Sequence, residues 1–106
     1  MKTVIVTELA RAEIDRAAAW YEGRREGLGN QFLARVDEAM SRIEISPQGY
    51  AMAYKDLRRA GLRQFTDYAL WFQIRADNSL VIACLSARRR PALIRERQRG
   101  VIPFPE

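Results

Sequence analysis

Residues 68–85, YALWFQIRADNSLVIACL, predict a β-hairpin. From Tyr68 to Ile74 large apolar side chains fall on every second position, which is the period of a strand. Residues 80–85 are almost wholly apolar, as expected of a central strand. The intervening Ala76-Asp77-Asn78-Ser79 contains Asp and Asn, which tolerate the positive φ of a tight turn. Two antiparallel strands therefore form the base of the predicted fold.

The flanking sequence predicts one more strand on each side of a pair of helices. Between the helices and the hairpin, the strand period continues with Ala60, Leu62 and Gln64 alternating with Arg59, Gly61 and Arg63. At the N-terminus, the β-branched run Lys2–Val6 predicts a strand, and Thr7 is placed to cap the helix that follows it.

In the segment between these strands, apolar residues recur at helical spacing. One amphipathic helix is predicted from Thr7 to Tyr21, and a second ends at Pro47. Gly23, Gly27 and Gly29 interrupt the pattern and predict the loop that joins the two helices. Downstream of the hairpin, Pro91 is expected to begin a short helix through Arg99.

The predicted fold class is α+β, in one domain over residues 1–106. An N-terminal strand and a helical hairpin precede a three-stranded antiparallel meander. The helical hairpin must cover one face of the sheet, so we expect the other face to be partly exposed and basic.

Composition excludes several classes of function. The chain has 106 residues, one cysteine and no histidine, so disulfide scaffolds, Ser-His nucleophiles and the usual transition-metal sites are excluded. We therefore predict no metal and no cofactor. No stretch predicts a signal peptide or a membrane span, and Cys84 lies in an apolar run, so a cytoplasmic location without membrane contact is expected.

Basic residues concentrate in the second half of the chain. Residues 1–50 hold seven Lys or Arg against eight Asp or Glu, whereas residues 51–106 hold eleven against five. The densest run is Ser86-Ala87-Arg88-Arg89-Arg90-Pro91, followed by Arg95. Arginine matches phosphate with two parallel hydrogen bonds, so this run predicts contact with phosphates or an acidic partner; the alternative is a solvated tail.

The strand residues Arg59, Arg63 and Trp71 are a second candidate for target binding. If the strand register brings them onto one face, the arginines grip a nucleic-acid backbone while the indole stacks on a base. The alternative is that Trp71 belongs to the core.

Three motifs follow one another along the chain: Asp37-Glu38-Ala39 before Pro47, the basic strand with Phe65-Thr66-Asp67-Tyr68, and Ala83-Cys84-Leu85-Ser86-Ala87-Arg88-Arg89-Arg90-Pro91. Their order and spacing give a resemblance, over nearly the whole chain, to the RelE/ParE family of bacterial toxins, known from plasmid-stabilisation systems. It implies a toxin of a type II toxin-antitoxin pair that is blocked by a small acidic antitoxin in a hetero-oligomer.

Carried over by position, the resemblance matches Arg59 to the arginine before the central strand, Tyr68 to the tyrosine of Phe-Pro-Tyr, and Arg88 and Arg89 to the paired arginines of the last motif. We therefore expect Arg59, Tyr68 and Arg89 to be catalytic. The residues expected to bind nucleic acid or another target are Arg63, Trp71, Ser86, Arg88, Arg90 and Arg95. Arginine would stabilise the phosphorane of RNA cleavage, and Tyr68 or Lys55 would move the proton. Three departures from the family pattern concern activity: the longer Phe65-Thr66-Asp67-Tyr68 segment, Ser86 in place of histidine, and Arg90 in place of aspartate.

Three functions stay open at this point. RelE-like members cut mRNA on the ribosome, ParE-like members poison DNA gyrase without cutting RNA, and a catalytically decayed toxin would act as an interaction protein. The basic second half favours the first, and the absence of histidine favours the second.

Overall fold

The computed structural model describes residues 2–86. In chain order the elements are β1 (Thr3–Val6), α1 (Glu8–Arg24), α2 (Leu28–Ile45), a 3-10 turn (Pro47–Gly49), β2 (Met52–Tyr54), β3 (Leu57–Gly61), β4 (Tyr68–Ile74) and β5 (Asn78–Ser86). The five strands form one mixed sheet in the order β1-β5-β4-β3-β2, with the two helices on one face. This arrangement confirms the predicted α+β class. The helix predicted from Pro91 to Arg99 lies outside the described residues.

The predicted hairpin is present as β4 and β5, but its turn is shorter than predicted, because Asn78 and Ser79 belong to β5 and neither Asp77 nor Asn78 has a positive φ. Arg75 N–H donates to the carbonyl of Asn78 at 2.8 Å and closes the turn between them. Trp71 pairs with Ala83 while the next residue of β4 pairs with Val81, so Ile82 is one extra residue in β5. β5 lies in the interior of the sheet, because β1 pairs with its other edge in parallel. The sequence pattern did not reveal this parallel pair.

The strand predicted around residues 59–64 lies further upstream. β3 ends at Gly61, and Gln64 has a φ of 71°, in the left-handed region where a strand cannot continue. Leu62 N–H donates to the carbonyl of Tyr68 at 3.1 Å and turns the chain into β4. A fourth strand in this half, β2, was not predicted, because its three residues are too few to show a period.

The helices begin where capping groups are available. Thr7 Oγ1 accepts from Ala10 N at 3.1 Å, which confirms the predicted N-cap of α1. The loop between the helices is shorter than the three glycines predicted, because Gly23 lies within α1 and Gly29 within α2. Only Gly27, with a φ of 89°, adopts the left-handed conformation that a turn requires here.

Both faces of the sheet are apolar. Against the helices, a core forms around Ile14, Phe32, Ile43 and Phe72, all fully buried. The outer face carries a second buried cluster, made of Leu57, Trp71, Leu80, Ile82, Ala83 and Leu85. The expectation of a basic, partly exposed outer face was therefore wrong for most of the sheet, whose outward positions hold buried apolar side chains, although the exposed Arg59 of β3 lies on this face.

Candidate functional site

A cleft of about 480 Å³ lies between α1 and the end of the β4–β5 hairpin. Helical spacing brings Glu13, Arg16, Ala17, Trp20 and Tyr21 of α1 to it, and the strands and the turn before them contribute Asp67, Tyr68, Cys84, Leu85 and Ser86. Two residues predicted from sequence, Tyr68 and Ser86, meet here because they are direct partners across the hairpin.

Tyr68 points to the helix side of the sheet. Its ring centroid lies 5.4 Å from that of Phe32 and 6.0 Å from that of Tyr21. The Tyr21 hydroxyl has a raised pKa, first because of burial and then because of Tyr68 and the Asp67 carboxylate. Tyr21 is therefore protonated at neutral pH and is not suited to act as a base there.

The floor of the cleft joins α1 to β5. Glu13 Oε1 accepts a hydrogen bond from Cys84 N at 2.9 Å. Burial raises the pKa of the Cys84 thiol to about 12, with a further contribution from the charge of Glu13. Since the thiolate is the nucleophilic form, Cys84 is inert at neutral pH.

Trp20 lies at the cleft with more than half of its surface exposed, at 54%. The Arg24 guanidinium carbon lies 4.5 Å from the centre of the Trp20 ring, and the indole meets Tyr21 edge to face at 5.1 Å. Sequence analysis did not select Trp20. The sequence did carry a signal for Trp20: it lies outside the apolar face of α1, so it is a large aromatic residue on an outward face of the helix.

The structure does not bring Arg59 to this cleft. Arg59 pairs with Trp71 across β3 and β4, on the face of the sheet opposite to Tyr68. The predicted alignment of Arg59 with Trp71 is thus present, but the indole is only 9% exposed. Its Nε1 has no hydrogen-bond partner within residues 2–86. Trp71 therefore occupies a core position rather than an open platform for a base.

The structure also separates Arg63 from Arg59. Arg63 follows the end of β3, and its Nη1 lies 3.6 Å from the Glu38 carboxylate of α2, on the helix side. The remaining predicted site residues, Arg88, Arg89, Arg90 and Arg95, lie outside the described part of the chain.

Two further classes of site are absent from residues 2–86. No group of acidic or cysteine side chains there comes together as a metal site. No helix in the same range has the length and apolarity needed to cross a membrane.

The arrangement of two helices on a five-stranded mixed sheet has a counterpart among solved structures. It is similar to a solved chain of the chromosomal ParDE TA system from P. aeruginosa, with a TM-score of 0.71, at 13% identity over 81% of this chain and 96% of that one. The family described as "ParE toxin of type II toxin-antitoxin system, parDE" matches residues 4–91. This chain therefore belongs to the ParE toxin family. No curated protein sequence matches it significantly.

Proposed function

We propose that this ParE-family toxin inhibits growth by binding DNA gyrase rather than by cleaving RNA, and that an acidic antitoxin blocks it in a cytoplasmic hetero-oligomer. The observation that carries the proposal is the placement of Arg59 and Tyr68 on opposite faces of the sheet.

RNA cleavage needs several groups at one phosphate. A base takes the proton of the 2′-hydroxyl, while cationic donors lie about 3 Å from the phosphorane oxygens. Successive side chains of a strand point to opposite faces, and groups on the two faces point away from each other. Arg59 and Tyr68 therefore do not meet at one phosphate, although both remain available to contact a protein.

The cleft also has few groups suited to proton transfer. Tyr21 and Cys84 stay protonated at neutral pH, because both have raised pKa values. Glu13 already accepts the backbone N–H of Cys84. With no histidine in the chain, the common base at neutral pH is absent. A binding role for the cleft requires none of these groups to ionise.

The antitoxin is the occupant that we assign to the cleft. The chain carries a formal net charge of +5, which complements an acidic partner. Trp20 offers a large exposed aromatic surface at the cleft, the kind of side chain that anchors protein interfaces. A segment of antitoxin that folds as it binds would cover Trp20 and fill the cleft.

The target is tested with the purified full chain in two assays. We expect it to inhibit DNA supercoiling by gyrase and to leave mRNA intact on programmed ribosomes. Tyr68→Phe should keep the inhibition, because it removes only the hydroxyl. Cleavage of ribosome-bound mRNA that Tyr68→Phe abolishes would overturn the proposal and favour a RelE-like enzyme.

The antitoxin site is tested by titrating the product of the neighbouring reading frame onto two variants. Trp20→Ala should weaken the complex by about 30-fold or more, the effect of losing an interface anchor. Leu9→Ala is the matched control, since Leu9 is an exposed apolar residue of the same helix, at 60%, that does not line the cleft. Equal effects of the two substitutions would place the antitoxin elsewhere.

A further inference from the structure

One acidic side chain gathers three arginines on the helix side of the sheet. The Glu38 carboxylate lies 3.1 Å from Arg35 Nη1, 3.5 Å from Arg42 Nη1 and 3.6 Å from Arg63 Nη1. A single ion pair would be neutral, whereas this group has an excess of two positive charges. Such an excess on an exposed surface attracts anions.

A fourth arginine joins the group through a tyrosine. Arg42 Nε donates to the Tyr50 hydroxyl at 3.3 Å, and Arg58 Nη1 donates to the Tyr50 carbonyl. Arg35, Arg42, Arg58 and Arg63, with Glu38, are called here the basic network. Four guanidinium groups and one carboxylate give it a net charge of +3.

The basic network is held in place before any ligand binds. Arg35 Nε donates to Gln64 Oε1 at 3.1 Å, and Gln64 Nε2 donates to Gln31 Oε1 at 2.6 Å. Side chains already ordered by such bonds lose less conformational entropy on binding. Donors are still available, because the ion pair of Arg63 with Glu38 within residues 2–86 uses only Nη1 and the Arg63 side chain is 70% exposed.

We propose that the basic network is a binding surface for the phosphodiester backbone of nucleic acid. Arg35 and Arg42 are seven residues apart on α2, which separates them by about 10 Å along the helix axis. A net charge of +3 is enough to neutralise about three phosphates of such a backbone.

A nucleic-acid backbone fits this surface better than a protein partner does. Every side chain that forms the network is polar, and the exposed apolar residues Ile45 and Met52 lie only at its edge, three residues after Arg42 and opposite Arg58. Protein interfaces depend on apolar or aromatic anchors, whereas nucleic-acid interfaces are more polar and more positively charged. The surface is separate from the cleft beside α1, and its role does not depend on gyrase as the target.

The experiment measures the salt dependence of binding to a labelled 20-base-pair DNA duplex and to a single-stranded RNA of the same length. The slope of log affinity against log salt should be about one unit shallower for Arg63→Gln than for the unmodified chain. Arg11→Gln is the matched control, because Arg11 is an exposed arginine of α1 and its loss changes the net charge equally. The control should keep the slope.

A substitution that adds positive charge distinguishes a change in binding from a loss of folding. Glu38→Gln raises the charge of the basic network by one and should tighten binding, which a partly unfolded chain would not do. Whichever of the two nucleic acids binds more tightly, duplex DNA or single-stranded RNA, identifies the source of the backbone. Equal slopes for Arg63→Gln and Arg11→Gln would overturn the proposal. So would binding of a 20-residue polyglutamate peptide that depends on Arg63 and is tighter than the binding of either nucleic acid, because it would indicate an acidic protein partner. A chain that binds nucleic acid in this way without inhibiting gyrase would refute only the proposed target.

Discussion

Gly29 is the position where a single methyl group should most clearly disturb the packing of the two helices. A Cβ added to it would lie 2.6 Å from the Ala18 carbonyl oxygen of α1 and 2.9 Å from Glu22 Oε1. The Ala18 oxygen belongs to the backbone of a helix and cannot rotate away. Gly29→Ala must therefore push α2 away from α1 or displace the Glu22 carboxylate, which accepts from Gly29 N at 2.9 Å.

Two opposing terms set the size of the effect. Forcing an extra methyl group into a filled contact costs about 3 kcal/mol, the upper end of the usual range, because the contact is with backbone. Replacing glycine by alanine within a helix stabilises the helix by about 1 kcal/mol. The free energy of unfolding should therefore fall by about 2 kcal/mol, which lowers the melting temperature of a domain of this size by about 8–16 °C.

Urea unfolding followed by far-UV circular dichroism measures this difference, with Gly23→Ala as the matched control. Gly23 also lies in a helix, but a Cβ added there meets nothing within 4 Å. Gly23→Ala should stabilise the chain by up to about 1 kcal/mol. If both substitutions shift the urea midpoint in the same direction by similar amounts, the close approach of the helices at Gly29 does not have the energetic role assigned to it.

Three further outcomes are expected. Hydrogen bonds from Gly27 and Gly29 N–H lower the pKa of Glu22 from its ordinary 4.5. The ionised Glu22 carboxylate therefore stabilises the fold fully above pH 4.5, and this stabilisation is lost as the pH falls through the lowered pKa of the folded state. In urea titrations, acidification from pH 7 to 3 should destabilise the unmodified chain more than Glu22→Gln. Cys84, 2% exposed and with its pKa raised to about 12, should react with a disulfide reagent at pH 8 only after unfolding in urea, and fast reaction of the native chain would contradict its assigned burial. Thr7→Ala should lower the free energy of unfolding by about 1 kcal/mol while Thr7→Ser retains most of it, and equal losses would exclude capping as the cause.

Local sequence determined the two helices, the N-terminal strand and the β4–β5 hairpin, and the ends of several of these elements. The large apolar side chains at every second position from Tyr68 to Ile74 indicated β4, and the hydroxyl of Thr7 begins α1 because it reaches a backbone N–H three residues away. The order and spacing of short motifs also indicated the toxin family that the comparison over residues 4–91 confirms. These features depend on neighbours in the chain, so they can be inferred without knowing how the elements pack.

Tertiary structure alone decided which of these residues meet. A period of two specifies which side chains of one strand share a face, but it specifies neither the neighbouring strand nor the register. The parallel pairing of β1 with β5, and the extra residue Ile82, arise from contacts between distant segments. For that reason Arg59 and Tyr68, assigned to one site by sequence position, lie on opposite faces, while Arg63 pairs with Glu38 and Trp20 lies beside Tyr68 at the cleft. Burial and proximity are properties of the whole packed chain, and they form only when segments far apart in sequence exclude water together.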